Sequence, residues 1–146
     1  MDVKNKRVVV TGAASGIGKA LCEAFHQAGA QSIVAVDMNI EGAQETADSV
    51  NGIAIQANVG KEEDIINVIE KANEHAGGID IFCSNAGIGG VPGFFEVSAA
   101  DWQNIWDVNV QGHIFAAKHV LPQMIERGEG YLVNTSSAAG LLTQLG

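Results

Sequence analysis

The chain has 146 residues, 47% of them apolar and 17% charged, with a formal net charge of −9. That length suits one domain over residues 1–146, with roughly 70% of the unfolded surface removed from water on folding. The acidic balance repels phosphate backbones and excludes nucleic acid as an expected partner, and no apolar run approaches the ~20 residues that span a bilayer.

The first seven residues, MDVKNKR, are polar and lack an apolar h-region, so no secretory leader is expected and a cytoplasmic setting is. Val8-Val9-Val10 reads as a first strand. After a glycine-rich turn, Ile17, Ala20, Leu21, Ala24, Phe25 and Ala28 recur at helical spacing, and Gly29 closes that helix. Ser32 to Val36 reads as the second strand and Ile40 to Val50 as a helix ended by Asn51-Gly52. Ile53 to Gln56 is a short third strand. The helix from Glu62 to Ala76 starts on three acidic residues, which suit the positive end of its dipole, and turns Ile65, Val68, Ile69, Ala72 and Ala76 to the core. Gly77-Gly78 stops it, and Ile79 to Ser84 is the fourth strand. A glycine-rich loop over 87–93 leads to a capping box, Ser98-x-x-Asp101, and one long helix to about Arg127. Tyr131 to Thr135 is the fifth strand, and the remainder is small and loop-like. Strands alternating with helices imply a parallel sheet with right-handed crossovers.

Cys22 and Cys83 stand in apolar surroundings without metal-like spacing and read as buried, reduced thiols. His26, His75, His113 and His119 form no ligand pair at i,i+3 or i,i+4, so no metal site is expected.

The most informative segment is Thr11-Gly12-Ala13-Ala14-Ser15-Gly16-Ile17-Gly18, between the first strand and the first helix. Gly12 lets the chain turn off the strand tip, Gly16 clears the way for backbone to approach a phosphate, and Gly18 lets the helix pack close to the sheet. The helix N-terminus then offers free N–H groups to a pyrophosphate, and Ser15 adds a hydroxyl. Asp37 ends the second strand 19 residues after Gly18, where a carboxylate accepts from ribose hydroxyls and repels a 2′-phosphate. Met38, Ala13 and Ala14 supply no cation, so NAD(H) is expected in preference to NADP(H).

The Gly-x-x-x-Gly-x-Gly spacing resembles the short-chain dehydrogenase/reductase family, and further matches extend the resemblance over the whole chain. Asn58-Val59 follows the third strand where the family has Asp-Val beside the adenine. Asn85-Ala86-Gly87 follows the fourth strand, where the family's segment steadies the sheet and lines the cofactor cleft. Asn109, within Asp107-Val-Asn-Val-Gln-Gly112, is similar to the family asparagine that distorts its helix and holds a water in a proton relay; read by itself it is equally a solvent-facing Asn. Tyr131-Leu-Val-Asn-Thr-Ser-Ser137 resembles the fifth strand and its serine, which makes Ser137 the donor to the substrate oxygen. The resemblance implies an α/β fold with a Rossmann-like doubly wound parallel sheet of about five strands, incomplete at its C-terminal edge. It also implies Gly12, Ser15, Gly16, Ile17, Gly18, Asp37, Asn58, Val59, Asn85, Ala86 and Gly87 as cofactor contacts. Asn109 and Ser137 would be the catalytic pair, and an alcohol or carbonyl compound the substrate.

The family's Tyr, with a Lys four residues on, lies about a dozen residues beyond the serine, whereas nine residues follow Ser137 here. Tyr131 is the only tyrosine and is expected to pack at the strand start; Lys118 is expected to be an exposed charge. Without that pair, little turnover is expected from this chain alone, since a positioned general acid contributes about 10²–10⁴ in rate. The fifth strand is expected to present an open edge, and the long helix an uncovered face of Trp102, Ile105, Trp106, Phe115 and Val120, so a homo-oligomer is expected. Phe94 and Phe95, in the loop after the fourth strand, are either pocket contacts or loop packing. The resemblance favours an oxidoreductase; an inactive cofactor-binding module and an interaction scaffold are the alternatives.

Overall fold

Val8, Val9 and Val10 are each buried almost completely, and a strand can bury alternate residues on both of its faces only if helices cover both sides of the sheet. The computed structural model describes residues 2–89 and 95–141. In chain order these form β1 (Arg7–Thr11), α1 (Gly16–Gln27), β2 (Ser32–Asp37), α2 (Ile40–Ser49), β3 (Ile53–Gln56), α3 (Glu62–Ala76), β4 (Ile81–Ser84), α4 (Ala99–Trp106), α5 (Gly112–Arg127) and β5 (Tyr131–Asn134). The five strands pair in parallel in the order β3-β2-β1-β4-β5. The Rossmann-like α/β arrangement expected from the sequence is therefore the one observed.

The strand alternation divides the core in two. Val9, Val34, Val36, Ile55 and Phe82 face α3 and α5, packing with Ile65, Val68, Ala116 and Val120. Val8, Val10, Ile33, Ala35, Ile81 and Cys83 face α1 and α2, packing with Cys22 and Ala47. Both thiols are free and buried, and burial pushes each up to about 12.

In α1 the covered side is Gly18 and Cys22 with Leu21 and Phe25, while Ile17, Ala20, Ala24 and Ala28 are exposed. Alanine is favourable in a helix at any exposure, so its spacing carries little information about the buried side. In β5, Tyr131 is half exposed rather than packed, because this strand is paired on one side only.

The largest departure concerns the helix expected to run unbroken from Ser98 to Arg127. Ser98 caps α4 through the expected box with Asp101, but between α4 and α5 lies one π-helical turn, Asp107–Gln111. A π turn inserts an extra residue and shifts the phase of everything after it. Val120 is consequently fully buried and Phe115 packs against the core, while Ile105 is half-buried. Of the expected face Trp102 and Trp106 are exposed, and the apolar residues that join them outside are Ile114, Leu121 and Ile125.

The N-terminal end of the sheet is fastened by Arg7 and Asp80. Arg7 Nε donates to Asp80 Oδ2 at 2.7 Å and Nη2 to Oδ1 at 2.5 Å, and the Arg7 backbone N–H donates to Oδ2 at 2.9 Å. Arg127 lies 3.7 Å from the same carboxylate. The Arg7 hydrogen bonds hold the Asp80 carboxyl below the usual carboxylate range, against the opposing effect of burial. Its stabilisation is thus fully present above the ordinary value of about 3.9 and is lost as acid takes the pH down through the lowered value. Asp80→Asn is expected to leave Arg7 without its counter-charge and cost about 3 kcal/mol in urea unfolding at neutral pH. The deficit should shrink as the pH falls through that lowered value.

Candidate functional site

β1 and β4 are neighbours, yet the chain leaves β1 toward β2 and leaves β4 toward β5 on the other side. Loops that part in opposite directions open a crevice at the carboxyl ends of the strands. Thr11, buried at the tip of β1, holds the two sides of this fork: its Oγ1 donates to Cys83 O and accepts from the backbone N–H of Asn85 and Ala86. Asn85 extends the bridge, with Nδ2 donating to Thr11 O at 3.1 Å and Oδ1 accepting from Thr135 Oγ1 at 3.0 Å.

On one side of the fork is the glycine turn. Gly12 has φ 70°, and a Cβ there would lie 2.9 Å from Ala86 Cα. A Cβ on Gly18 would lie 2.0 Å from Gly12 O, so this glycine permits close packing of α1 against the turn itself rather than against the sheet. Gly16, at φ 52°, faces open space. Ser15 is the N-cap of α1 but makes no side-chain cap bond, and the first turn holds no acidic residue. The N–H groups of Gly16, Ile17 and Gly18 have no partner among the described residues. An anion fits this unsatisfied end.

Two cavities flank the fork and share Ala86, Gly87 and Ile88. The smaller, about 130 Å³, also takes in Gly12, Asp37, Met38, Asn58, Val59 and Val108. The Asp37 carboxylate is fixed at its edge by two backbone donors, Ala14 N at 3.0 Å and Asn39 N at 2.9 Å. Asn58 is partly engaged in a turn into α3: its Oδ1 accepts from Gly60 N, and its own N–H donates to Asp64 Oδ2.

The larger cavity, about 810 Å³, runs from Ile17 past Asn85 and Asn109 to Ser136 and Ser137. Asn109 sits in the π turn and closes a ring with the backbone of Ile88, accepting from its N–H and donating to its carbonyl, both at 2.8 Å. Ser137 Oγ accepts from Ala139 N at 3.1 Å, which leaves its hydroxyl hydrogen to give. Ile17, read both as part of the first helix's apolar stripe and as a cofactor contact, is 65% exposed and belongs to the cavity wall.

The fold thus gathers Asn85, Ala86, Gly87, Asn109 and Ser137 around one cavity, and Asp37, Asn58 and Val59 around the other. Phe94 lies outside the described residues, and Phe95 is exposed. Lys118 is exposed but paired, giving Glu62 a 2.7 Å contact that His119 shares; both hold Glu62 below the usual carboxylate range. Sequence reasoning missed Thr11, Ile88, His113 and Asn134. Ile88 acts through its backbone, which leaves no trace in residue identity, and His113 was weighed only as a metal ligand. Its Nδ1 lies 3.2 Å from Asn134 Oδ1.

A sequence profile described as short chain dehydrogenase matches residues 6–146. Glucose 1-dehydrogenase 2 of Bacillus subtilis is 36% identical over 143 residues, covering 93% of this chain and 55% of the relative. Cyclohexanol dehydrogenase of an Acinetobacter species is 35% identical over 144 residues, covering 94% and 57%. A Burkholderia phymatum short-chain dehydrogenase/reductase crystallised in complex with NAD superposes with a TM-score of 0.94 at 29% identity, covering 99% of this chain and 53% of its own. The chain spans somewhat over half the length of these relatives.

The Asn109 ring yields a direct test. Asn109→Ala removes both bonds to Ile88 and is expected to cost about 1–2 kcal/mol. Amide exchange at Ile88 should accelerate with it, while amides at the N-terminal end of the sheet stay protected.

Proposed function

The chain belongs to the short-chain dehydrogenase family, and we propose that its crevice holds NAD(H) for hydride transfer between an alcohol and a carbonyl compound. The observation that carries this reading is the uncapped first turn of α1, whose three leading N–H groups have no partner among the described residues, beside a carboxylate pinned at the end of β2. The pyrophosphate is assigned to that turn and the adenosine to the smaller cavity. Each Asp37 oxygen keeps a lone pair beyond the one its backbone donor uses, available to a ribose hydroxyl. A 2′-phosphate would meet that carboxylate with no Lys or Arg in residues 12–18 or 38–42 to offset it. The name of the Acinetobacter relative and the NAD in the Burkholderia structure support the same assignment.

The nicotinamide, when bound in the larger cavity, supplies or accepts the hydride. Of the chain's own groups, Ser137 donates its hydroxyl hydrogen to the substrate oxygen. Asn109 acts as a positioning residue that fixes Ile88 and the cavity wall, and its second N–H and second lone pair remain for a water. Tyr131 is at the far end of β5 from Ser137 and takes no part. A cytoplasmic setting, where both buried thiols stay reduced, belongs to the same proposal.

Self-association is proposed through the outward stripe of α4 and α5. Trp102, Trp106, Ile114, Leu121 and Ile125 recur at intervals of 4, 8, 7 and 4 residues, and all five are exposed. A two-fold dimer needs a self-complementary patch, and once the one residue that the π turn inserts between Trp106 and Ile114 is discounted, the stripe is spaced alike on both sides of Ile114. Two antiparallel copies place Ile114 on the axis, Trp106 against Leu121 and Trp102 against Ile125.

NADH is expected to bind the chain with energy transfer from its tryptophans, and NADPH to bind about tenfold more weakly or worse. Asp37→Ser should narrow that gap; equal affinities in the parent chain would overturn the cofactor assignment. Carbonyl reduction by these 146 residues is expected to run about 10²–10⁴ below ordinary family rates. Sedimentation at micromolar concentration should find a dimer that Ile114→Glu dissociates, by setting two carboxylates face to face at the axis.

A further inference from the structure

We infer that Thr46 of α2 is a positioning residue for dinucleotide binding, because its hydroxyl fixes the Ala13–Ala14 peptide of the glycine turn. The side chain is fully buried. Its Oγ1 lies 2.8 Å from Ala13 O and 3.1 Å from Gly42 O, one turn back in the helix. A hydroxyl has one hydrogen to give, and the nearer acceptor is the turn carbonyl, 33 positions away in the chain. Valine would fill the same space, and alanine is the better helix former. Neither packing nor helix propensity therefore calls for the hydroxyl, whereas the turn does.

The same peptide is held from its other side. Ala14 N donates to Asp37 Oδ2 at 3.0 Å, and Asp37 Oδ1 accepts at 2.9 Å from the backbone N–H of Asn39, the N-cap of α2. The contacts close a ring that runs from the turn through Asp37, Asn39 and α2 to Thr46 and back to the turn. Gly42 lets the helix seat this closely, since a Cβ there would lie 2.8 Å from Ala14 Cβ. Ala13 is itself fully buried and donates its N–H to Val36 O at 3.1 Å.

The consequence rests on the proposed function. Thr46 draws the peptide oxygen into the interior and Asp37 takes its N–H, so this peptide turns no carbonyl toward the crevice. The N–H groups of Gly16, Ile17 and Gly18 follow it within a few residues and inherit its direction. Without the Thr46 hydroxyl, Ala13 O is a buried carbonyl with no other donor among the described residues, and the peptide is restrained on one side only. Rotating that oxygen toward water satisfies it. The rotation also sets a partial negative charge beside the donors to which the diphosphate is assigned.

The test measures dissociation constants of ADP and adenosine for the 146-residue chain by NMR titration. Both probes carry the ribose assigned to Asp37, and only ADP carries a diphosphate. Thr46→Val is expected to weaken ADP by about three- to tenfold, the worth of one hydrogen bond, and adenosine by less than about twofold. Thr46→Ser keeps the hydroxyl and should bring ADP back to within about twofold of the parent. Gly42→Ala favours the helix but presses on Ala14, and should also weaken ADP more than adenosine. Amide exchange at Ala14 gives a reading without ligand: faster in Thr46→Val, parent-like in Thr46→Ser. A role in stability alone would lower the melting temperature of Thr46→Val and leave the ratio of ADP to adenosine affinity where it was. An unchanged ratio in Thr46→Val, or a Thr46→Ser chain that behaves like Thr46→Val, overturns the inference and leaves the cofactor assignment standing. Where Thr46→Val does not fold, an unchanged ratio in Gly42→Ala overturns it in the same way. A parent chain that binds neither ADP nor NADH overturns both.

Discussion

The arrangement depends on one topological constraint. Parallel strands need crossovers, and crossovers are right-handed, so a chain that builds β2 and β3 on one side of β1 must return across the sheet to place β4 on the other. That return makes the loops after β1 and β4 diverge, and the space between them is the crevice. The fork would be a weak point without Thr11. Its hydroxyl is buried among the carbonyl of Cys83 and the N–H groups of Asn85 and Ala86, so both strand tips are satisfied while the loops above them separate. Asn85 carries the connection on to Thr135 at the end of β5.

The two ends of the sheet use polar groups in opposite ways. At the N-terminal end, Arg7, Asp80 and Arg127 satisfy one another and the surrounding carbonyls, including Gly77 and Ile79. At the carboxyl end, the donors of the α1 turn have no partner among the described residues, Ser15 makes no side-chain cap bond, and Asp37 is held in place by backbone rather than neutralised. A closed network stabilises the fold, and an open one is what a ligand can complete. The overall charge of −9 makes the contrast sharper, because an anionic ligand is drawn by local N–H groups and not by the general field of the molecule.

The π turn links fold and site. Asn109 pulls the Ile88 backbone onto the helix from within that turn, and the inserted residue rotates α5 so that Ala116, Val120 and Met124 face the core. The same rotation brings Ile114, Leu121 and Ile125 into line with Trp102 and Trp106 on the outside. A single local distortion thus sets the cleft wall, the core face and the exposed stripe together.

The sequence by itself determined the alternation of strands and helices, the capping box at Ser98, the bounds of α3, the position of the glycine turn and Asp37 at the end of β2. These are local matters, decided by side-chain period, by backbone freedom at glycine and by which residues can stop a helix, so neighbouring residues suffice to read them. The tertiary structure alone decided which side of α1 is buried, where the helix after Ser98 shifts phase, and that Thr11, Ile88, His113 and Asn134 belong to the site. The burial of α1 rests on apolar packing against the sheet, and the others rest on contacts between residues far apart in the chain, made through backbone groups or polar side chains. Asn109 meets Ile88 across 21 positions and Thr11 meets Asn85 across 74, and no periodicity records a partner at that distance.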